Sequence, residues 1–147
     1  MTEAGIRALP LVANNIVFGS IQGFDNQRGI AVGNRLAQAL GVGKDDFITL
    51  VSPRGARTPV GTAPRTRPYR ISAIFELGMS EYDRSMIFRP LLEAQRYFSK
   101  PDQADVLELI VDDPEAVDQR ITAMKAAVDA PLHYASWRDR NETFFTV

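Results

Sequence analysis

The stretch from Pro53 to Arg70 places the strongest constraint on what this chain can fold into. It contains four prolines, at Pro53, Pro59, Pro64 and Pro68. Proline fixes φ at about −65° and lacks the backbone N–H, so it interrupts helices and removes hydrogen bonds from a sheet. The segment TPVGTAPRTRP, Thr58 to Pro68, is therefore predicted to be neither helix nor strand. We expect a stiff connection that loses little conformational entropy when it is held in place.

The same stretch is basic, although the chain as a whole is almost neutral. It contains no acidic residue and five arginines, Arg54, Arg57, Arg65, Arg67 and Arg70. With 17 basic and 18 acidic side chains, the whole chain has no general attraction for nucleic acid or an anionic membrane. Three interpretations of the stretch remain open: a solvated hairpin connection, a protein-docking loop, and an anion-binding or nucleic-acid-binding loop. Arginine without aromatic residues is weak support for single-strand binding.

Length and composition predict one compact domain of a longer chain. The chain has 147 residues, of which 45% are hydrophobic, which is enough for one core of ordinary size. No apolar run approaches the ~20 residues that a membrane helix needs. The final stretch, RNETFFTV, has no capping or turn residue, so we expect an excised domain. The absence of cysteine excludes a disulfide framework and a thiolate metal site.

The first two-thirds of the chain alternates short β-branched runs with amphipathic stretches. Strands are predicted for Asn14–Ile21, Arg28–Gly33, Phe47–Ser52, Tyr69–Leu77 and Ser85–Arg89. We expect Phe47–Ser52 to be buried and the last two strands to be neighbours. One helix is predicted from Asn34 until Gly41 ends it, and another with Pro90 at its first position.

The last third predicts a strand, a helix, a second strand and the start of a final helix. The strands are Asp105–Asp112 and Pro131–Ser136, and the helix between them runs from Asp113, its N-cap, to Ala130. Ser136 is expected to cap the final helix. An apolar stripe should pack the long helix on a mixed sheet through Val117, Ile121, Met124 and Val128. Because strands and helices alternate without strict regularity, the predicted class is α+β.

No group of residues predicts catalysis, a cofactor or a metal site. The turn LGVGKDD resembles a phosphate-binding loop, but Asp45 follows Lys44 where a hydroxyl is needed for Mg²⁺. His133 is the only histidine, so neither a histidine metal cluster nor a proton relay is available. We therefore expect a protein that is not an enzyme.

Several long segments resemble the periplasmic domain of the lipoprotein-releasing ABC transporter permeases, the LolC/LolE family. They are GIAVGNRLAQALGVGKDDFITLVSP, TPVGTAPRTRPYRISAIFELGMSEYDRSMIF, LLEAQRYF and WRDRNETFF. Their order and spacing match the family from about Gly29 to Val147. The resemblance implies a MacB-like periplasmic domain, with an α/β part and a small β-rich part that carries a protruding hairpin loop, the hook. Residues 29–70 would form the hook-bearing part and residues 71–147 the α/β part of a single domain.

The resemblance also implies partners and a docking site. The permeases lie in the inner membrane of Gram-negative bacteria, act with a cytoplasmic LolD ATPase, and pass outer-membrane lipoproteins to the periplasmic carrier LolA. The expected partners are therefore LolA, a second permease subunit, LolD and the lipoprotein substrate, without nucleic acid. The hook that engages LolA corresponds to Thr58, Pro59, Val60, Gly61, Thr62, Ala63 and Pro64. Its base would be framed by Arg57, Arg65 and Arg67.

Overall fold

The computed structural model describes residues 1–26, 28–58 and 61–140. The chain divides into two compact units, Met1–Asp105 and Val106–Val147. The described strands are β1 Ile16–Gly19, β2 Gly29–Gly33, β3 Phe47–Thr58, β4 Gly61–Phe75 and β5 Ile87–Phe88. The described α-helices are α1 Glu3–Arg7, α2 Pro10–Ala13, α3 Asn34–Leu40, α4 Ser80–Ser85, α5 Leu91–Phe98, α6 Val117–Ala127 and α7 Trp137–Arg140. Short 3₁₀ turns cover Phe24–Asn26 and Pro114–Ala116.

All five described strands lie in the first unit and form one mixed sheet. Four strands follow the order β1-β4-β2-β5, and the fifth strand, β3, pairs with a different part of β4. The β2–β4 pair is parallel, whereas β1–β4, β2–β5 and β3–β4 are antiparallel. Helices pack on this mixed sheet, so the predicted α+β class is confirmed.

The part of β4 in the centre of the sheet is buried on both faces and contains a bulge at Ser72. Ile71 pairs with Ile30 and Ala73 pairs with Ala31, which leaves Ser72 as the extra residue. Its hydroxyl donates a hydrogen bond to the Ile30 carbonyl at 3.1 Å. The bulge reverses the alternation of side chains, so two hydrophobic clusters flank the strand. One contains Ile71 with Ile30, Val32, Ala37, Tyr69, Ile74 and Tyr97. The other contains Ala73 and Phe75 with Ile6, Val12, Ile21, Phe24, Ala31 and Phe88.

The prediction that Thr58–Pro68 is neither helix nor strand is wrong. β3 runs to Thr58 and β4 begins at Gly61, and the two strands pair on both sides of an irregularity between Ser52 and Ala56. Proline is tolerated in a strand where its nitrogen faces away from the partner. Pro53 falls in an irregular stretch of β3, and Pro64 and Pro68 lie on a part of β4 whose described partner is β3 alone.

Two further expectations for the first unit are wrong, one is confirmed, and one is confirmed in part. The strand that begins at Phe47 is not buried, because Phe47 and Val51 are 66% and 63% exposed. Residues of Ser85–Arg89 do form β5, but β5 pairs with β2 and not with β4. As predicted, Gly41 ends α3 in the left-handed conformation, with φ at 65°. The predicted helix α5 is present, although it begins at Leu91 and Pro90 is its N-cap residue and not its first residue.

α4 was not predicted from the sequence, and a buried acid stabilises its start. The carboxylate of Asp83 is 1% exposed and accepts hydrogen bonds from the backbone N–H groups of Leu77, at 2.7 Å, and Gly78, at 3.1 Å. These bonds fix the turn that leads into the helix.

The second unit contains helices and extended segments. Asp113 caps the turn before α6 as predicted, with its carboxylate accepting from the Glu115 N–H at 3.0 Å. Ser136 caps α7, since its hydroxyl accepts from the Asp139 N–H at 3.3 Å. The predicted strands Asp105–Asp112 and Pro131–Ser136 are wrong, because no strand is present between residues 106 and 140.

The apolar stripe of α6 is consequently less buried than expected. Val117 is buried and Ile121 and Met124 are half-buried, but Val128 is 42% exposed and lies just beyond the helix. The expected sheet beneath it is absent from the described part of this unit. No helix within the described residues combines the length and apolar character needed to span a membrane.

Candidate functional site

β3 and β4 form a two-stranded ribbon that continues past the rest of the sheet. β2 pairs with β4 at residues 70–75 and β1 at residues 73–75, whereas β3 pairs with residues 61–70. From Gly61 to Tyr69, the described partner of β4 is therefore β3 alone. At about 3.3 Å per residue, this part of the ribbon is roughly 27 Å long.

The described residues of the predicted hook lie at the end of this ribbon. Thr58 pairs with Gly61, Arg57 with Thr62, and Ala56 with Ala63. Gly61 has φ at 130°, a conformation that side chains rarely permit, and Ala63 and Pro64 are exposed.

Part of the predicted docking site falls outside what the structure describes. Pro59 and Val60 lie outside the described residues, and the side chains of Arg57, Thr58 and Thr62 are likewise undescribed. Of the predicted hook residues, the structure describes the backbone of Thr58 in β3 and of Gly61 to Pro64 in β4.

The two faces of the ribbon differ in exposure. Side chains of one face are all exposed: Phe47, Thr49, Val51, Thr66, Pro68 and Arg70. Those of the other face are buried or half-buried: Ile48, Leu50, Ser52, Arg65, Arg67 and Tyr69. Ile48, Leu50 and Tyr69 pack in one of the hydrophobic clusters, together with Tyr97 of α5. We call these the outer and the inner face of the ribbon.

Two of the three arginines predicted to frame the base of the hook lie on the inner face, where they contact α5. A guanidinium nitrogen of Arg67 lies 3.4 Å from a carboxylate oxygen of Glu93, whose other oxygen binds Arg96 at 2.9 Å. Arg65 donates a hydrogen bond to the carbonyl oxygen of Tyr97. Arg65 and Arg67 therefore join the ribbon to the body of the first unit.

Arg70, which is not one of the arginines predicted at the base of the hook, binds the carboxylate of Asp45 where the ribbon enters the sheet. Its guanidinium lies 3.1 Å from Asp45 Oδ1, and Lys44 Nζ lies 2.8 Å from Asp45 Oδ2. The hydrogen bond from Lys44 is the main reason that the pKa of Asp45 lies below its usual value. An open cleft of about 670 Å³ adjoins these residues and is also lined by Gly19, Ser20, Gln22, Gly23 and Ser72. Because Asp45 binds both cations, their charge is partly neutralised toward any anion in the cleft.

Other potential chemistry is sparse in the part of the chain that the structure describes. His133 is exposed, and no group of three or more His, Cys, Asp or Glu residues there is arranged to hold a metal ion. The sequence singled out residues 53–70 as unusual, but it missed both their strand structure and their contacts with α5. Glu93 and Tyr97 are spaced by four residues, which places them on one helix face, and this spacing was the available signal.

The chain is similar to curated permeases of the lipoprotein-releasing system. It is 24% identical over 137 residues to "Lipoprotein-releasing system transmembrane protein LolC" of Xylella fastidiosa (strain Temecula1 / ATCC 700964), covering 92% of this chain and 33% of the relative. A LolC of Neisseria meningitidis serogroup B is 26% identical over 79% of this chain and 28% of the relative. A LolE of Haemophilus influenzae is 27% identical over 78% of this chain and 27% of the relative.

These similarities confirm the resemblance to LolC and LolE at the level of distant homology. The chain spans about a third of the length of the curated relatives that it matches. No family model matches it.

Proposed function

We propose that this chain, a LolC/LolE-like domain, is the periplasmic domain of an inner-membrane ABC transporter permease that releases outer-membrane lipoproteins. Its similarity to relatives named as transmembrane proteins of the lipoprotein-releasing system supports the proposal. The site of action of the domain is the β3–β4 ribbon, which docks the soluble lipoprotein carrier LolA.

The observation that carries the docking proposal is the length of the ribbon beyond the sheet. Thr58 pairs with Gly61 at the end of a ribbon that α5 contacts on its inner face, and this supports a docking role for the segment Thr58–Pro64. Such a tip can enter a groove of another protein, and its prolines reduce the entropy lost on binding. In this interface the tip residues contact LolA, Arg57 at its base influences the rate of encounter, and Arg65 and Arg67 hold the base against α5.

The remaining partners follow from the same proposal. A second permease subunit of the LolC/LolE type, the lipoprotein substrate and the LolD ATPase complete the system. LolD supplies ATP hydrolysis from a separate subunit, so this domain is a docking element and not a catalyst. An anion-binding function for the arginine-rich stretch is less well supported, because Arg65, Arg67 and Arg70 already contact Tyr97, Glu93 and Asp45.

The test replaces Thr58–Pro64 with a Gly-Ser linker of the same length and measures capture of LolA in a pull-down. An exposed hairpin end contributes few core contacts, so the circular dichroism spectrum and melting curve should stay close to those of the parent chain. Binding to LolA should disappear.

A matched control replaces residues 104–110, which are as numerous and are all exposed, with the same linker. This control should retain LolA binding. The assay uses ~0.15 M salt, where charges beyond ~8 Å are largely screened. Equal capture by the hairpin variant and the parent would show that the tip is only a connection between two strands.

A further inference from the structure

We propose that α5 is a clamp that fixes the direction of the ribbon, with Tyr97 and Glu93 as positioning residues. The clamp rests on the proposed function only in one respect, which is that LolA is the protein that the ribbon binds. The clamp itself is defined by contacts within the first unit. These join one face of α5, together with Arg89 two residues before the helix, to both strands of the hairpin.

Tyr97 contacts both strands at once. Its side chain is buried, and its hydroxyl oxygen lies 3.1 Å from the carbonyl oxygen of Leu50 on β3 and 3.0 Å from that of Arg65 on β4. The single hydroxyl hydrogen can donate to either carbonyl, so the bond is retained during small movements of either strand. Arg65 returns a hydrogen bond from its guanidinium to the Tyr97 carbonyl. Helix and ribbon are therefore joined in both directions.

Glu93 adds an ionic contact one helical turn before Tyr97. Its side chain is only 6% exposed, and it lies between Arg67 of the ribbon and Arg96 of its own helix. A carboxylate this buried needs a nearby cation, because desolvation disfavours an unpaired charge. Arg67 is the cation on the ribbon, so movement of β4 away from α5 would leave Glu93 with Arg96 alone.

Arg89 fixes the root of the ribbon. It is 8% exposed, and its guanidinium lies over the rings of Tyr97, Tyr69 and Phe98 at 4.5, 5.2 and 5.2 Å from their centroids. It also donates a hydrogen bond to the Tyr69 hydroxyl at 3.2 Å. Tyr69 is the β4 residue at which the ribbon joins the sheet. The aromatic cage therefore connects the root of the ribbon to α5.

These contacts matter because a two-stranded ribbon has little stability of its own. An isolated hairpin is at best marginally stable in water. Without α5, the ribbon would sample many directions relative to the sheet, and a partner would have to select one of them. Holding the ribbon in one direction before docking lowers the entropy lost on binding.

The test measures the direction of the ribbon without any partner. The chain has no native cysteine, so Ala39→Cys on α3 and Ala63→Cys near the tip can be spin-labelled specifically. Both alanines are exposed. Double electron–electron resonance then gives the distribution of distances between the two labels. In the parent chain we expect one narrow distribution.

The decisive variant is Tyr97→Phe, which keeps the ring in the cluster and removes the hydroxyl. The distribution should broaden, and amides of residues 61–69 should exchange with deuterium roughly five- to tenfold faster, as expected for the loss of one net hydrogen bond. Amides of residues 71–75, in the core of the sheet, should be unchanged. Tyr82→Phe, at a tyrosine of α4 that is 44% exposed, is the matched control and should change neither measurement.

A second variant tests the clamp independently, in case the side chains around residue 97 rearrange in Tyr97→Phe and mask the loss of the hydroxyl. Glu93→Gln removes the charge that Arg67 faces while preserving side-chain size, and it should broaden the same distribution. Narrow distributions and unchanged ribbon exchange in both variants would overturn the clamp. These measurements contain no carrier, so that outcome is distinguishable from failure of LolA docking, which the linker variant tests separately.

Discussion

Adding one methyl group at Gly55 is expected to open the ribbon without disturbing the core of the sheet. Gly55 lies in the irregular stretch of β3 between Ser52 and Ala56. A Cβ placed there would lie 1.5 Å from the carbonyl oxygen of Ala63 on β4. Since even close carbon–oxygen contacts are about 3.3 Å, the two strands would have to separate locally by roughly 2 Å. Gly55→Ala is therefore a direct test of strand pairing in the hook.

The size of the effect follows from comparing the strain with the stability of the ribbon. Forcing a methyl group into a packed position typically costs about 1–3 kcal/mol. A two-stranded hairpin is only marginally stable by itself, so the strain should be relieved by local opening. Converted at about 1.4 kcal/mol per tenfold change, the loss corresponds to roughly 5- to 150-fold faster amide exchange in the ribbon. LolA binding should weaken over a similar range, because the tip loses its fixed conformation.

Hydrogen exchange followed by mass spectrometry resolves the ribbon from the rest of the chain. The matched control is Gly43→Ala, where the nearest atom to an added Cβ would be Asp46 Oδ2, at an ordinary 3.8 Å. The control should leave ribbon exchange at the parent rate, and both variants should leave residues 71–75 protected. If Gly55→Ala and Gly43→Ala exchange alike in residues 50–69, then β3 and β4 do not pair at Ala63, and the reasoning about the hook fails.

Two other predictions test the core and the second unit. Phe75 is fully buried, with its ring 5.1 Å from that of Phe88, so Phe75→Ala should lower the free energy of unfolding by about 3–5 kcal/mol in urea titrations. Phe47→Ala, at a side chain that is 66% exposed, should lower it by less than about 1 kcal/mol, and equal losses would contradict the assigned burial. The backbone N–H of Ser136 donates a hydrogen bond to the Asp139 carboxylate at 2.6 Å, and this bond lowers the pKa of Asp139. The stability that the ionised carboxylate contributes is therefore fully present above the usual pKa of 3.8 and is lost as the pH falls through the lowered pKa. A carbon-13 NMR titration of Asp139 should give a midpoint below 3.8, and a midpoint at or above 3.8 would contradict the hydrogen bond from Ser136.

The sequence predicted those elements whose signals are local. Gly41 and Asp113 act as the expected helix cap residues because each needs only its own backbone conformation or one nearby N–H group. β2 follows from a short β-branched run, and α5 from an amphipathic run after Pro90. The hook residues were proposed from the family resemblance, and of these the structure pairs Thr58 with Gly61 at the end of the β3–β4 ribbon.

Predictions that depended on a partner elsewhere in the chain were less successful. The run Val106 to Val111 has high β-propensity, but a strand also needs another strand to pair with, and none is present in the described part of its unit. Its side chains at Leu107 and Ile110 are 80% and 65% exposed. β5 was assigned to the wrong neighbour because adjacency in sequence does not determine adjacency in a mixed sheet. Contacts of α5 with the ribbon span 26 to 47 residues, beyond the reach of local patterns.

The prolines that suggested a loop instead determine how the ribbon can be approached. Pro64 and Pro68 are four residues apart on β4, so their nitrogens face the same side of the strand, away from β3. An edge that presents proline rings in place of N–H groups cannot add a further strand. Strand addition is therefore restricted to the β3 side of the ribbon, and α5 covers the inner face. The outer face with Phe47 and Val51 and the β3 edge remain accessible, so the ribbon offers a partner exposed side chains on one face and a strand edge on one side only.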